Sequence, residues 1–131
     1  MQSRHPQPPF LRDLVVSTTG AVVAVHVSPE GIIRATTPGL DADTADRWAA
    51  AMAALRAVST EGVGIVGSLM SREKPWSYSV IVDRCGQTLV MVGSPDRSML
   101  AVAGAEGADL DMIVGRLIEL ADQGHGAGVA A

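Results

Sequence analysis

The sequence contains a single cysteine, Cys85. An intramolecular disulfide needs two, so no disulfide framework organises the fold, and a reducing cytoplasm is the compartment the sequence predicts. Lysine is equally scarce: Lys74 stands alone, ahead of Pro75. No Gly-Lys-Ser or Gly-Lys-Thr is present to cradle a nucleotide phosphate, which excludes a P-loop hydrolase. Basic runs are missing, and ten Lys plus Arg against fourteen Asp plus Glu leave a net charge of −4. A phosphate backbone would find no electrostatic footprint, so no nucleic-acid partner is expected. His5, His26 and His125 are too scattered, with Cys85, to form a zinc site, and no metal is expected. Neither Ser68 nor Ser94 sits in G-x-S-x-G, and Cys85 has no evident histidine partner, so neither a catalytic residue nor a cofactor is predicted. Nothing approaches roughly 20 consecutive apolar residues, and the N-terminal prolines interrupt what a signal peptide would need as its apolar core. Neither membrane insertion nor export is expected.

What is present fits one domain. The chain has 131 residues, within the range of a single core, and 47% hydrophobic against 18% charged residues excludes disorder for its bulk. Residues 1–8 read as a flexible tail, 9–124 as the domain and 125–131 as a second tail. A first helix begins at Pro9 and ends before Gly20. Strands follow at 21–27 and 32–37, joined by Ser28-Pro29-Glu30-Gly31, where proline suits the first central turn position and glycine tolerates positive φ. A helix capped by Asp41, Asp43 or Thr44 runs to about residue 58. Strands at 76–83, 88–92 and 99–103 come next, and a last helix capped by Asp109 continues until Gly124. Hairpin-length links make the sheet largely antiparallel. The predicted class is α+β: a three-layer α/β/α sandwich around five strands in the order α-β-β-α-β-β-β-α, with the middle helix on one face and the terminal helices on the other.

The middle helix carries the most information. Ala45, Met52, Leu55 and Ser59 cluster around Trp48 on a core-facing stripe, while the opposite side holds Asp43, Asp46, Ala50, Ala53, Ala54 and Ala57 and carries no charge beyond the first turn and a half. Such a bare side, followed by the alternating strand of Trp76, Tyr78 and Val80, predicts a homodimer in which helices approach closely and edge strands pair across a two-fold axis. The dimer and partner surface is accordingly placed at Asp46, Ala50, Ala53, Ala54, Ala57, Trp76, Tyr78 and Val80. One motif has the wrong setting. Gly62-Val63-Gly64-Ile65-Val66-Gly67 matches G-x-G-x-x-G, but it follows a helix where the dinucleotide fingerprint follows a strand, so it is read as a glycine-broken link. Arg84 and Arg97, in turns, could be offered to a partner's phosphate, although solvated turn residues explain them more simply.

Taken in order, Leu11-Arg12-Asp13-Leu14-Val15, Glu30-Gly31-Ile32-Ile33, Gly39-Leu40-Asp41, Asp46-Arg47, Gly86-Gln87-Thr88-Leu89-Val90-Met91-Val92, Leu100-Ala101-Val102 and Asp109-Leu110 resemble the Roadblock/dynein light chain domain in its small bacterial form. The segment 61–75 departs from that pattern. The resemblance implies a Roadblock-like, non-enzymatic homodimer built on the middle helix and third strand, with the two sheets joined into one, that binds a Ras-like small GTPase. It further implies gliding-motility or conservon-type signalling, in the latter case beside a sensor-kinase-like membrane protein through which a cytoplasmic module could become membrane-associated. A small-molecule sensor with a pocket near Trp48 is the alternative reading.

Overall fold

The computed structural model describes residues 9–123. The tails expected at 1–8 and 125–131, and the domain's expected last residue, lie outside the described residues. The elements are α1 (Pro9–Ser17), β1 (Ala21–Val27), β2 (Ile33–Thr36), α2 (Ala42–Met70), β3 (Tyr78–Val82), β4 (Thr88–Gly93), β5 (Met99–Gly104) and α3 (Leu110–Asp122). Their order is the predicted one, and they form the Roadblock-type α/β/α arrangement.

The five strands form one antiparallel sheet in the order β2-β1-β5-β4-β3. Side chains of successive residues alternate between its faces. Val25, Val27, Met91, Met99 and Ala101 point to one core together with Ala45, Ala49 and Met52 of α2. Ala24, Val90, Val92, Leu100 and Val102 point to the other, under Leu11 and Leu14 of α1 and Ile113, Leu117 and Ala121 of α3. Both faces are therefore covered at the centre of the sheet, which is why β1, β4 and β5 read as continuous apolar runs.

Local chemistry fixes the boundaries. Gly31 turns the β1–β2 hairpin at φ 84, the left-handed conformation its missing side chain permits. Asp41 caps α2 by accepting from the Thr44 N–H at 2.7 Å, and Asp109 caps α3 by accepting from the Met112 N–H at 3.1 Å. Each satisfies a donor that the helix start leaves orphaned. The cap bonds, chiefly those from Thr44, hold the Asp41 carboxyl below its ordinary pKa, with Arg47 adding to the effect against a small opposing cost of desolvation.

Two expectations need correction. First, the middle helix does not end near residue 58. It runs through the predicted link to Met70, and Ser71 caps it in the left-handed conformation at φ 56, its N–H shared between the Gly67 and Ser68 carbonyls. Each internal glycine costs about 1 kcal/mol relative to alanine, but extending an established helix adds a hydrogen bond for every residue fixed. Gly67 has a packing role as well: a Cβ there would lie 3.0 Å from the Glu73 Cα and 3.1 Å from the Arg72 carbonyl, where the chain folds back. Second, the helical apolar stretch is longer than expected. By length and composition alone α2 could cross a bilayer, with an 18-residue window of mean hydropathy 1.3 that is 11% buried.

Candidate functional site

Beyond its first half, α2 leaves its own core. Ala45, Ala49 and Met52 are buried, whereas in the last turns only Gly67 is. Val58, Ile65, Val66, Leu69 and Met70 are exposed, Leu69 by 77%. Monomeric proteins rarely leave so contiguous an apolar surface open, and one that does marks an interaction site.

β3 extends this surface. It lies at the edge of the sheet, paired only with β4, and Tyr78, Val80, Ile81 and Val82 are all exposed. Opposite residues share a face of the sheet, so the register decides where they point. Val80 lies across from Val90 on the α1/α3 side, whereas Ser79 and Ile81 face Met91 and Leu89 on the α2 side. The strand is thus open along its outer edge and on the α1/α3 side, while on the α2 side Ile81 is exposed and Ser79 is half-buried. The strand itself begins at Tyr78, two residues later than predicted. Trp76 bends back toward the α2-side core, and its indole N–H donates to Ser79 Oγ at 2.9 Å. Ser79 Oγ in turn meets Ser59 Oγ of α2 at 2.8 Å.

Of the residues singled out from the sequence, Ala50, Ala54, Ala57, Tyr78 and Val80 lie exposed on this surface. Asp46, Ala53 and Trp76 are half-buried, and the latter two pack against the α2-side core. The sequence reading missed Val58, Ile65, Val66, Leu69, Met70, Ile81 and Val82. Helical periodicity carried past residue 58 would have found the α2 members. Trp48, expected beside a ligand pocket, packs against the same core.

At the sheet end nearest this surface, α2 meets the β4–β5 turn. Arg56 donates from Nη1 to the carbonyl of Arg97, and its guanidinium carbon lies 5.9 Å from the centre of the Trp76 ring. Burial, and then the charge of Arg97, pull the Arg56 pKa below its ordinary value, partly offset by Asp96. Asp96 Oδ1 accepts from the backbone N–H of Ser98 at 2.9 Å and from its Oγ at 2.5 Å, and Oδ2 accepts from Arg34 at 3.3 Å. Partial burial pushes the Asp96 carboxyl up, but the Ser98 and Arg34 bonds outweigh it and hold the group below its ordinary pKa.

Ser98 Oγ also meets His26 Nε2 at 3.1 Å. The sole Ser98 hydroxyl proton goes to the ionised Asp96, so His26 Nε2 is the donor in this bond. Asp, Ser and His are therefore in contact, but the fully buried serine lies between the other two and cannot act as a nucleophile. His26 is packed and bonded, as the sequence reading has it. Among the described residues no three His, Cys, Asp or Glu side chains converge as a metal site. The G-x-G-x-x-G glycines lie inside α2, away from any strand-to-helix turn. A groove of about 290 Å³ lies between α1 and α3, lined by residues that include Phe10, Leu14, Arg116 and Leu120.

No protein-family model and no curated protein matches the sequence. Solved structures do match in fold. A Roadblock/LC7 domain from Streptomyces avermitilis superposes with a TM-score of 0.78 at 20% identity, covering 93% of this chain and 96% of its own. The gliding protein MglB from Thermus thermophilus gives 0.64 at 14% identity, covering 94% and 99%. Acanthamoeba castellanii profilin IB gives 0.55 at 15% identity, covering 91% and 96%. Identities this low establish architecture and leave function to the site. With its element order, sheet and two cores in place, the chain has the Roadblock/LC7 fold.

Proposed function

We propose that this chain is a non-enzymatic, homodimeric scaffold that binds a Ras-like small GTPase and either biases its nucleotide state or tethers it within a signalling complex. The observation that carries the reading is the open apolar surface of α2 and β3. Burying a Val, Leu or Ile side chain is worth about 1.5–3 kcal/mol, so the exposed side chains of Val58, Ile65, Val66, Leu69 and Val82 amount to a large unspent driving force for association. A second copy satisfies it by symmetry: the small residues Ala50, Ala54, Ala57 and Gly64 permit close helix approach, and the free edge of β3 can pair with its own copy. The GTPase enters by fold-level analogy, through the resemblance to Roadblock domains and the structural likeness to MglB. A cytoplasmic location, with membrane attachment through a sensor-kinase-like partner, belongs to the same reading.

Regulation requires that the dimer bind one nucleotide state of its partner more tightly than the other, because only differential affinity shifts an equilibrium. The test has two stages. Sedimentation velocity at micromolar concentration is expected to give a dimer, and a monomer would remove the scaffold. Capture from native lysate, with a non-hydrolysable GTP analogue and separately with GDP, is expected to recover a small GTPase preferentially in one state. Equal recovery would leave tethering alone, and no GTPase in either arm would overturn the partner assignment.

A further inference from the structure

On the face of the sheet away from α2, the two terminal helices present matching stripes to each other. Phe10, Asp13 and Leu14 of α1, and Arg116, Glu119 and Leu120 of α3, each stand at i, i+3 and i+4, so each triplet shares one side of its helix. Together they line the groove of about 290 Å³ between α1 and α3. Leu14 is buried, and Phe10 and Leu120 pack half-buried against the same core, so the floor is apolar and continuous with the fold. The rim is charged, with Asp13 and Glu119 exposed and Arg116 half-buried.

These rim charges are not spent on one another. Among the described residues Arg34 and Asp96 form an ion pair, but none joins Arg116 to Asp13 or to Glu119, although Glu119 stands one turn from it along α3. The Arg116 Nε is shut off from water and has no hydrogen-bond partner. A buried donor without a partner is a cost that folds ordinarily avoid, and here the chain supplies no acceptor for it.

We propose that this groove binds a free amino acid with an apolar side chain. The guanidinium takes the ligand carboxylate at two points, through Nε and an Nη, which engages the orphaned donor. The carboxylates of Asp13 and Glu119 hold the ammonium, and Phe10, Leu14 and Leu120 receive the side chain. A simple anion would satisfy Arg116 but face two carboxylates, and a simple amine would satisfy those but face the arginine. The rim therefore matches a ligand that carries both charges. Its volume stands at the small end of ligand pockets, about 300–1,000 Å³, which suits a single amino acid. The site lies on the other side of the sheet from α2 and stands whether or not the chain dimerises or binds a GTPase.

Backbone amide shifts of the full chain report the site while L-phenylalanine is added. A saturable change is expected at residues 13–17 and 116–120, with 78–82 unaffected. Hydrocinnamate, which lacks the ammonium, and phenethylamine, which lacks the carboxylate, are each expected to bind at least tenfold more weakly, and L-serine likewise for want of an apolar side chain. Arg116→Gln is expected to weaken phenylalanine binding at least tenfold without lowering the melting temperature, since it removes the orphaned donor. Glu119→Gln, at an exposed position, is expected to weaken phenylalanine binding and strengthen that of hydrocinnamate, and it decides the question should Arg116→Gln not fold. No saturable change, equal affinity for either single-charge analogue, or unaltered binding in the folded variants would overturn the site.

Discussion

The two halves of α2 are made of similar residues and have opposite surroundings. In the first, alanines at 45 and 49 let the helix settle on the sheet and Met52 fills the space between them. In the second, Val58, Ile65, Val66, Leu69 and Met70 are at least as apolar and meet water. The difference lies in what stands opposite, because the centre of the sheet backs the first half, whereas among the described residues no strand covers the exposed side chains of the second. Apolarity along a helix therefore reports that a face must be covered. It does not report by which molecule.

The largest effect expected from this contrast is in stability. Met52→Ala should cost about 2–5 kcal/mol, as cavity-forming core truncations do, whereas Leu69→Ala should stay within about 0.5 kcal/mol in the dissociated chain. Urea denaturation at low protein concentration compares them, and equal losses would erase the distinction between the halves. Next comes association. Ala54→Arg and Val66→Asp should each weaken self-association at least tenfold, about 1.4 kcal/mol, while leaving the far-ultraviolet spectrum unchanged. Sedimentation equilibrium measures this, and an undiminished dimer would place the seam elsewhere.

A smaller effect sharpens the picture of the second half. A Cβ at Gly62 or Gly64 would meet nothing within 4 Å, so Gly62→Ala and Gly64→Ala should each stabilise the dissociated chain by about 1 kcal/mol. Gly67→Ala should lose that gain, since backbone atoms of the returning chain must shift to admit it. Denaturation midpoints that do not separate the two classes would mean the helix is frayed before Gly67.

The smallest effect concerns the turn that grips the middle of α2. The Asp96 carboxyl is held below its ordinary value of 3.8, so it binds protons less readily in the folded chain than in the unfolded one. Its contribution is present above that pH and is lost as the pH falls through the lower folded value. Asp96→Asn should therefore flatten the stability profile between about pH 5 and 2, modestly, because the carboxyl is largely solvated. Profiles that coincide would show that the Ser98 and Arg34 bonds add nothing.

Much of the fold was legible because its signals are local. The Pro29/Gly31 turn and the Asp41 and Asp109 caps each act within a few residues, and the apolar runs of β1, β4 and β5 state that both faces are covered. The end of α2 was not legible. Three glycines within six residues argue against a helix by propensity, and only its cooperative extension from an alanine-rich start and the return of residues 72–73 over Gly67 decide otherwise. That error hid the apolar half of the candidate surface, because residues assigned to a link are not given a face. Ala50, Ala54, Ala57, Tyr78 and Val80 were recoverable from periodicity alone. Nothing in periodicity turns Trp76 back onto Ser79 where strand alternation would continue, or places the Arg97 carbonyl beside Arg56 on an element distant in the chain.

The two borders of the sheet are unequal. β2 spans four residues and its register with β1 shifts between His26 and Val27, a short and irregular border of the kind that discourages strand addition. β3 is regular, apolar and free on its outer side. A sheet with two good borders can add copies without limit. In the proposed dimer, pairing β3 with its own copy would use the regular border of each molecule and leave only the short, irregular one, so growth would stop at two.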